Sequence, residues 1–129
     1  MNSVSAKELL QLAFEASKHS YSPYSKIKVG AALLTSSGKM YTGCNIESGS
    51  FGLTCCAERV AVFKAVSEGE RRFLKMAVVT SRETFITPCG SCRQVMAEWG
   101  NELELILGNC NGHMEVTTLE RLFPKPFRF

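Results

Sequence analysis

Three neighbouring stretches decide the fold: "LKMAVVTS" (Leu74–Ser81), "CGSCRQVMAEWG" (Cys89–Gly100) and "LELILGN" (Leu103–Asn109). The first is a short, continuous apolar run of the kind a buried strand needs. The second has helical spacing and is closed by Gly100, and the third is another strand. Upstream, Leu9, Leu10, Leu12, Ala13 and Ala16 follow an amphipathic helical period, with Ser5 and Glu8 spaced as a capping box. That helix is broken near "SYSPYS", at Pro23. "KVGAALLT" (28–35) and "KMYTGCNIE" (39–47), separated by Ser36, Ser37 and Gly38, read as a hairpin. From Cys55 to Ser67 the apolar spacing is helical on most sides, as in a buried helix that Gly69 ends. Asn111 and Gly112 give a second hairpin signal leading into "HMEVTTL", followed by a short terminal helix. The predicted order is helix, two strands, helix, strand, helix, two strands and a short helix. Strands and helices alternating on this scale predict an α/β domain whose mixed sheet is covered by helices.

The chain's 129 residues suit one domain spanning 1–129 with its own core and are too few for two. Hydrophobic residues make up 45% and charged ones 21%, a globular balance. The net charge of +3 comes from scattered Lys and Arg, which argues against a nucleic-acid polymer as partner. The first twenty residues carry Glu8 and Glu15 within their apolar period, unlike a leader segment, and no run reaches the length of a membrane span. A cytoplasmic location is expected. In such a compartment six clustered cysteines point to metal or catalysis rather than disulfides.

Cys89 and Cys92 form a Cys-x-x-Cys pair after Pro88, at a helix opening where free N–H groups favour thiolate. Alone, the pair is ambiguous among zinc, a thioredoxin-like redox couple and two buried thiols. Cys56, followed by Ala57 and Glu58, opens the other buried helix, so both helix starts can supply thiolates to one point at the sheet edge. Three thiolates leave the fourth position of a tetrahedral Zn²⁺ open, as in a catalytic site. Cys-x-Glu with Pro-Cys-x-x-Cys matches the three-cysteine form of the zinc-deaminase signature, in which the Glu shuttles protons. Against this stand two plainer readings, an exposed Glu58–Arg59 ion pair and a structural zinc site. The latter lacks a good fourth ligand: Cys55 should point away, Cys44 and Cys110 should be small buried residues in strands, and His19 and His113 should lie on the surface. Three thiolates on Zn²⁺ sum to minus one, which works against acidifying a bound water. Arg59 can offset this by donating to ligand sulfur, leaving Glu58 to take the proton.

With these motifs in view, the chain resembles the small homo-oligomeric cytidine deaminases, from "PYSKIKVGAALL" through "GCNIESGSFG" and "CCAERVAVFKAVSEG" to "TPCGSCRQV" and "LFPKPF". The resemblance implies a three-layer α/β/α domain with a mixed five-stranded sheet, one Zn²⁺ per chain, and hydrolytic deamination of cytidine and 2′-deoxycytidine. It implies Cys56, Cys89 and Cys92 as metal ligands, Glu58 as proton shuttle, and Asn45 and Glu47 on the ribose hydroxyls. Backbone groups around Ala57 and Thr87 would meet the base, and Phe127 would reach a neighbouring subunit's pocket in a tetramer. The tail supports assembly on its own terms, because Leu122, Phe123, Phe127 and Phe129 lie among prolines and are expected to bury against another chain. Three positions beside the nucleoside depart from the family pattern: Ile27 stands for Phe, Gly49 for Ala and Phe51 for Tyr. They predict a roomier, less polar pocket with relaxed tolerance for modified cytidines. The rival readings are a deaminase of another aminopyrimidine nucleoside or nucleoside-like antibiotic, and a zinc-stabilised binding module without catalysis.

Overall fold

The computed structural model describes residues 4–129. Helix α1 (Ala6–Ser17) starts from the expected capping box: the Ser5 hydroxyl accepts from the Glu8 N–H, and the Glu8 carboxylate accepts from the Ser5 N–H. Strands β1 (Val29–Thr35) and β2 (Met40–Cys44) follow as an antiparallel pair. Then come α2 (Ala57–Ser67), β3 (Phe73–Thr80), α3 (Gly90–Ala97), β4 (Glu104–Gly108), β5 (Met114–Thr118) and the one-turn α4 (Leu119–Leu122). The sheet order is β2-β1-β3-β4-β5, with β3 and β4 parallel and every other pairing antiparallel. This is the mixed five-stranded sheet the alternation of elements predicts.

Side chains alternate across the sheet, as the pleat requires. Ala32, Leu34, Ala77, Val79 and Ile106 meet Leu9 and Ala13 of α1 on one face. Their neighbours Ala31, Leu33, Met76, Val78 and Leu105 pack with residues of α2 and α3 on the other. Two strand glycines seat the helices. A Cβ on Gly30 would collide with the Ala13 carbonyl of α1, and one on Gly43 with the Ala57 carbonyl and, at 2.7 Å, the Ala61 nitrogen of α2. Among the described residues no helix is long and apolar enough to cross a membrane.

The elements run shorter than expected at the functional edge. The second strand was predicted to reach Glu47 and stops at Cys44. There the Asn45 side chain turns back, accepting from the Val29 N–H at 2.9 Å and donating to the Ile27 carbonyl at 2.8 Å. Helix α2 begins at Ala57 rather than Cys55, with Cys56 as its N-cap, and α3 ends at Ala97 rather than Gly100, with Cys89 as its N-cap. Cys110 is not a buried strand residue: β4 ends at Gly108, and the Asn109 carbonyl oxygen Oδ1 accepts from the N–H groups of Asn111 and His113. This side-chain turn throws Cys110 out to solvent. The tail splits. Leu122 and Phe123 pack on their own core, contrary to the expectation of burial against another chain, because α4 folds back under α3. Phe127 and Phe129 remain exposed.

Candidate active site

Val79 near the end of β3 and Cys44 at the end of β2 flank Gly30 of β1, so the loops leaving β2 and β3 rise from the same edge of the sheet. Ligand sites in open α/β sheets form outside such carboxyl ends. Each loop delivers a cysteine as the N-cap of the next helix, Cys56 to α2 and Cys89 to α3, and Cys92 follows one turn into α3. The sulfurs of Cys56 and Cys89 are 3.7 Å apart and those of Cys89 and Cys92 3.4 Å, and all three lie within 4.8 Å of one another. Zn–S bonds of about 2.3 Å at tetrahedral angles place sulfurs roughly 3.8 Å apart, so the spacing is that of three ligands around one Zn²⁺.

The charges agree with this fit. Hydrogen bonding from Cys92, aided by Arg59 and Cys89 and opposed by burial, pulls the Cys56 thiol down to about 5. Cys92, on the other side of that bond, is pushed up by it and by burial. Arg59 donates from Nη2 to the Cys56 sulfur at 3.4 Å, while its Nε–H is buried without a partner among the described residues. A guanidinium is left short of acceptors beside a sulfur cluster, which suits an anionic metal–thiolate centre.

Glu58 is 3% exposed, on the first turn of α2. Burial pushes its carboxyl up to about 7, with the Cys56 thiolate adding and Arg59 opposing. Among the described residues the ion pair is Lys18 with Glu15, so the reading of Glu58 and Arg59 as an exposed pair does not hold. A buried carboxyl near neutral pKa, with no ion-pair partner and beside a metal-ligand set, is arranged to carry a proton.

Glu47 and Phe51 line a cavity of about 290 Å³ together with Tyr24, Ser25 and Thr54. Glu47 accepts from the N–H groups of Tyr24 (2.9 Å) and Ser25 (3.1 Å) and from the Ser25 hydroxyl. The Ser25 hydroxyl bond is the chief reason the carboxyl is held below its ordinary range, so it stays anionic. The Tyr24 ring meets Phe51 edge-on at 5.9 Å, and a Cβ on Gly49 would stand 3.0 Å from the Tyr24 hydroxyl. Ile27 is half-buried outside this cavity, and its backbone serves Asn45 and Ser25. Thr87 accepts from Arg93 Nη2 at 3.0 Å, while Ala57 is buried at the start of α2. Phe127 is 71% exposed and its backbone is held by a reciprocal amide pair with Gln94.

Two positions escaped the sequence reading. Gly43 sets how closely the Cys56-bearing end of α2 approaches β2, and its signal was a glycine inside a strand pattern. Arg93 ties three segments together, donating to Pro88 O at 2.7 Å, Thr87 Oγ1 and Leu122 O at 2.9 Å. Its signal was a cation directly after the last cysteine.

Known proteins meet the chain at this site. Residues 3–106 match the cytidine and deoxycytidylate deaminase zinc-binding region. The cytidine deaminase of Sporosarcina psychrophila is 47% identical over 94% of this chain and 90% of its own. The blasticidin-S deaminase of Bacillus cereus is 30% identical over 92% of this chain and 84% of its own. A crystal structure of cytidine deaminase from Burkholderia pseudomallei superposes with a TM-score of 0.92 at 45% identity, covering 96% of this chain and 100% of that one. The match spans both helix starts and the three cysteines they carry, and the chain belongs to the cytidine and deoxycytidylate deaminase zinc-binding family.

Proposed function

We propose that this protein hydrolyses the exocyclic amine of cytidine and 2′-deoxycytidine, releasing ammonia and the uracil nucleoside, as an enzyme of pyrimidine salvage in the cytoplasm. One observation carries the reading: a buried, near-neutral Glu58 two residues from Cys56, beside the three-sulfur cluster. Zinc, when bound by Cys56, Cys89 and Cys92, supplies the Lewis acidity that makes water nucleophilic near neutral pH. Glu58 takes a proton from the water attacking the amino-bearing ring carbon and hands protons on to the ring nitrogen and the departing amine, so that the C–N bond breaks as a C=O bond forms. Arg59 draws charge from the Cys56 sulfur. Glu47, already anionic, and Asn45 are read as partners of the sugar hydroxyls, with the backbone at Ala57 and Thr87 facing the base. Ile27, Gly49 and Phe51 are read as the positions whose reduced bulk admits modified cytidines, Phe51 from the sugar-side lining and Ile27 and Gly49 from outside it.

A homo-oligomer, of tetrameric type, completes this reading. Phe51 and Leu53 are 74% and 75% exposed next to the sugar-side cavity, and Phe127 projects from the tail. Exposed apolar side chains of this size favour burial by another copy. The test is an ultraviolet assay of zinc-loaded protein against cytidine, 2′-deoxycytidine and a cytosine-nucleoside antibiotic, with chain mass in solution measured in parallel. Turnover of the first two by an oligomer is expected. Failure to consume cytidine sinks the substrate assignment, faster turnover of the antibiotic transfers it, and a fully active monomer removes the shared-site reading.

A further inference from the structure

A cavity lies away from the cysteines, against α1 on the opposite face of the sheet from α2 and α3. Its volume is about 510 Å³, within the range of small-molecule sites. The apolar floor is made by Leu10 and Phe14 of α1 and by Val79 and Gly108 of the central strands. Gly108 contributes no side chain, so the floor stays flat where β4 ends.

The rim is basic. Lys7, Lys18, Lys28 and His113 line the cavity, and among the described residues no carboxylate does. Lys18 is engaged by Glu15 at 3.1 Å and lies 5.2 Å from the centre of the Phe14 ring. Lys7 and Lys28 have no ion-pair partner among the described residues. Two free ammonium groups and a third held over an aromatic ring therefore face a half-enclosed apolar space.

The far wall is fixed in advance. Asn109, almost fully buried, donates from Nδ2 to Glu83 O at 2.8 Å and accepts at Oδ1 from the N–H groups of Asn111 and His113, each at 3.0 Å. Cys110 N–H donates to Arg82 O at 3.0 Å. Lys28 and Ser81 lock the near side, with Lys28 N–H donating to Ser81 Oγ at 3.0 Å and Ser81 N–H to Lys28 O at 2.9 Å. A preformed cavity spares a ligand the ordering cost that a loose one imposes.

We infer that this groove is a second binding site, for a planar aromatic anion of which a nucleoside monophosphate is the type. The flat floor takes the ring against Phe14, and the lysine rim takes the phosphate. Neither half of the ligand suffices alone, because rim amines are solvated and single surface contacts are weak. The inference is independent of the nucleoside chemistry at the cysteine edge.

The experiment is calorimetric titration of the zinc-loaded protein at low salt with adenosine 5′-monophosphate, and separately with adenosine and with inorganic phosphate. The nucleotide is expected to bind, with the two fragments each weaker by about tenfold or more. K7E/K28E reverses two rim charges on exposed side chains and should weaken the nucleotide by roughly tenfold while cytidine turnover is unchanged. Phe14→Ala should weaken it too, by removing the floor. Added salt should act in the same direction. The inference is overturned if the nucleotide gives no heat into the millimolar range, if inorganic phosphate binds as tightly, or if K7E/K28E binds like the natural protein. Displacement of the nucleotide by saturating uridine also overturns it, since that places the nucleotide in the nucleoside pocket.

Discussion

The metal corner and the sugar-side loop share one sheet edge and are built in opposite ways. Cys56, Cys89, Cys92 and Glu58 are fixed by the starts of two helices that are packed on the sheet, and Glu58 and Cys92 are buried. Tyr24, Ser25 and Glu47 belong to irregular segments and Phe51 to a single 3-10 turn, held by a few hydrogen bonds and one aromatic contact, and Phe51 is largely in solvent. Proton transfer demands placement to a fraction of an ångström, which helices on a sheet provide. Recognition tolerates adjustment and is the part that another copy of the chain can finish. One corner should therefore fail abruptly under substitution, and the other should retune.

The largest effect is expected from Glu58→Gln. It keeps size and zinc while removing the proton carrier, so kcat should fall by about 10² to 10⁴-fold or more. Metal analysis and single-turnover kinetics decide the matter: loss of zinc would show that Glu58 belongs to the ligand set and not to the proton path. Next comes Gly43→Val, whose added atoms would meet the Ala57 carbonyl and Ala61 nitrogen of α2. Overpacking of this kind costs about 1–3 kcal/mol or more. Thermal melting should register the loss, and zinc should leave more readily because Cys56 moves with the helix. A Gly43→Val protein with natural melting and metal retention would break the claim that the strand glycine positions this corner.

Arg59→Gln is expected to be milder. The nucleophile and Glu58 stay in place, but negative charge returns to the cluster, so kcat should drop several-fold with KM little changed. Unaltered turnover removes Arg59 from the mechanism.

How much of this contrast was legible follows from the same division. Helical and strand periods reported the layers correctly, because burial on a sheet imposes a period that composition cannot hide. Cys-x-Glu and Pro-Cys-x-x-Cys were readable because their spacing is local to two helix starts. What depended on turns was not. Cys110 was misplaced because the Asn109 side chain, three atoms of a turn rather than a period, ends β4 early. Asn45 likewise cut β2 short. In the tail, Leu122 and Phe123 look like Phe127 in sequence, and only the fold-back of α4 separates core from surface.

The smallest effect expected concerns pH at the sugar-side loop. The Glu47 carboxyl lies below its ordinary value because of Ser25, so the tether is complete above the unperturbed carboxylate pKa and is lost as pH falls through the lower, folded one. Amide hydrogen-exchange protection at Tyr24 and Ser25 should decline in that acid window while α2 stays protected. In Glu47→Gln the protection should already be lower and no longer follow pH. Equal loss in loop and helix would mean that the two regions open as one.

Gly30 and Gly43 have a further consequence. Each lies on a strand of the same sheet, and each is met by a helix from the opposite side, α1 for one and α2 for the other. A complete substitution scan would then show two of its least permissive positions at residues that possess no side chain. Neither is defended by a side-chain interaction, since it has none to make; both are defended by the space they leave. A ranking of residues by buried contact would pass over them, whereas one by excluded volume would place them first.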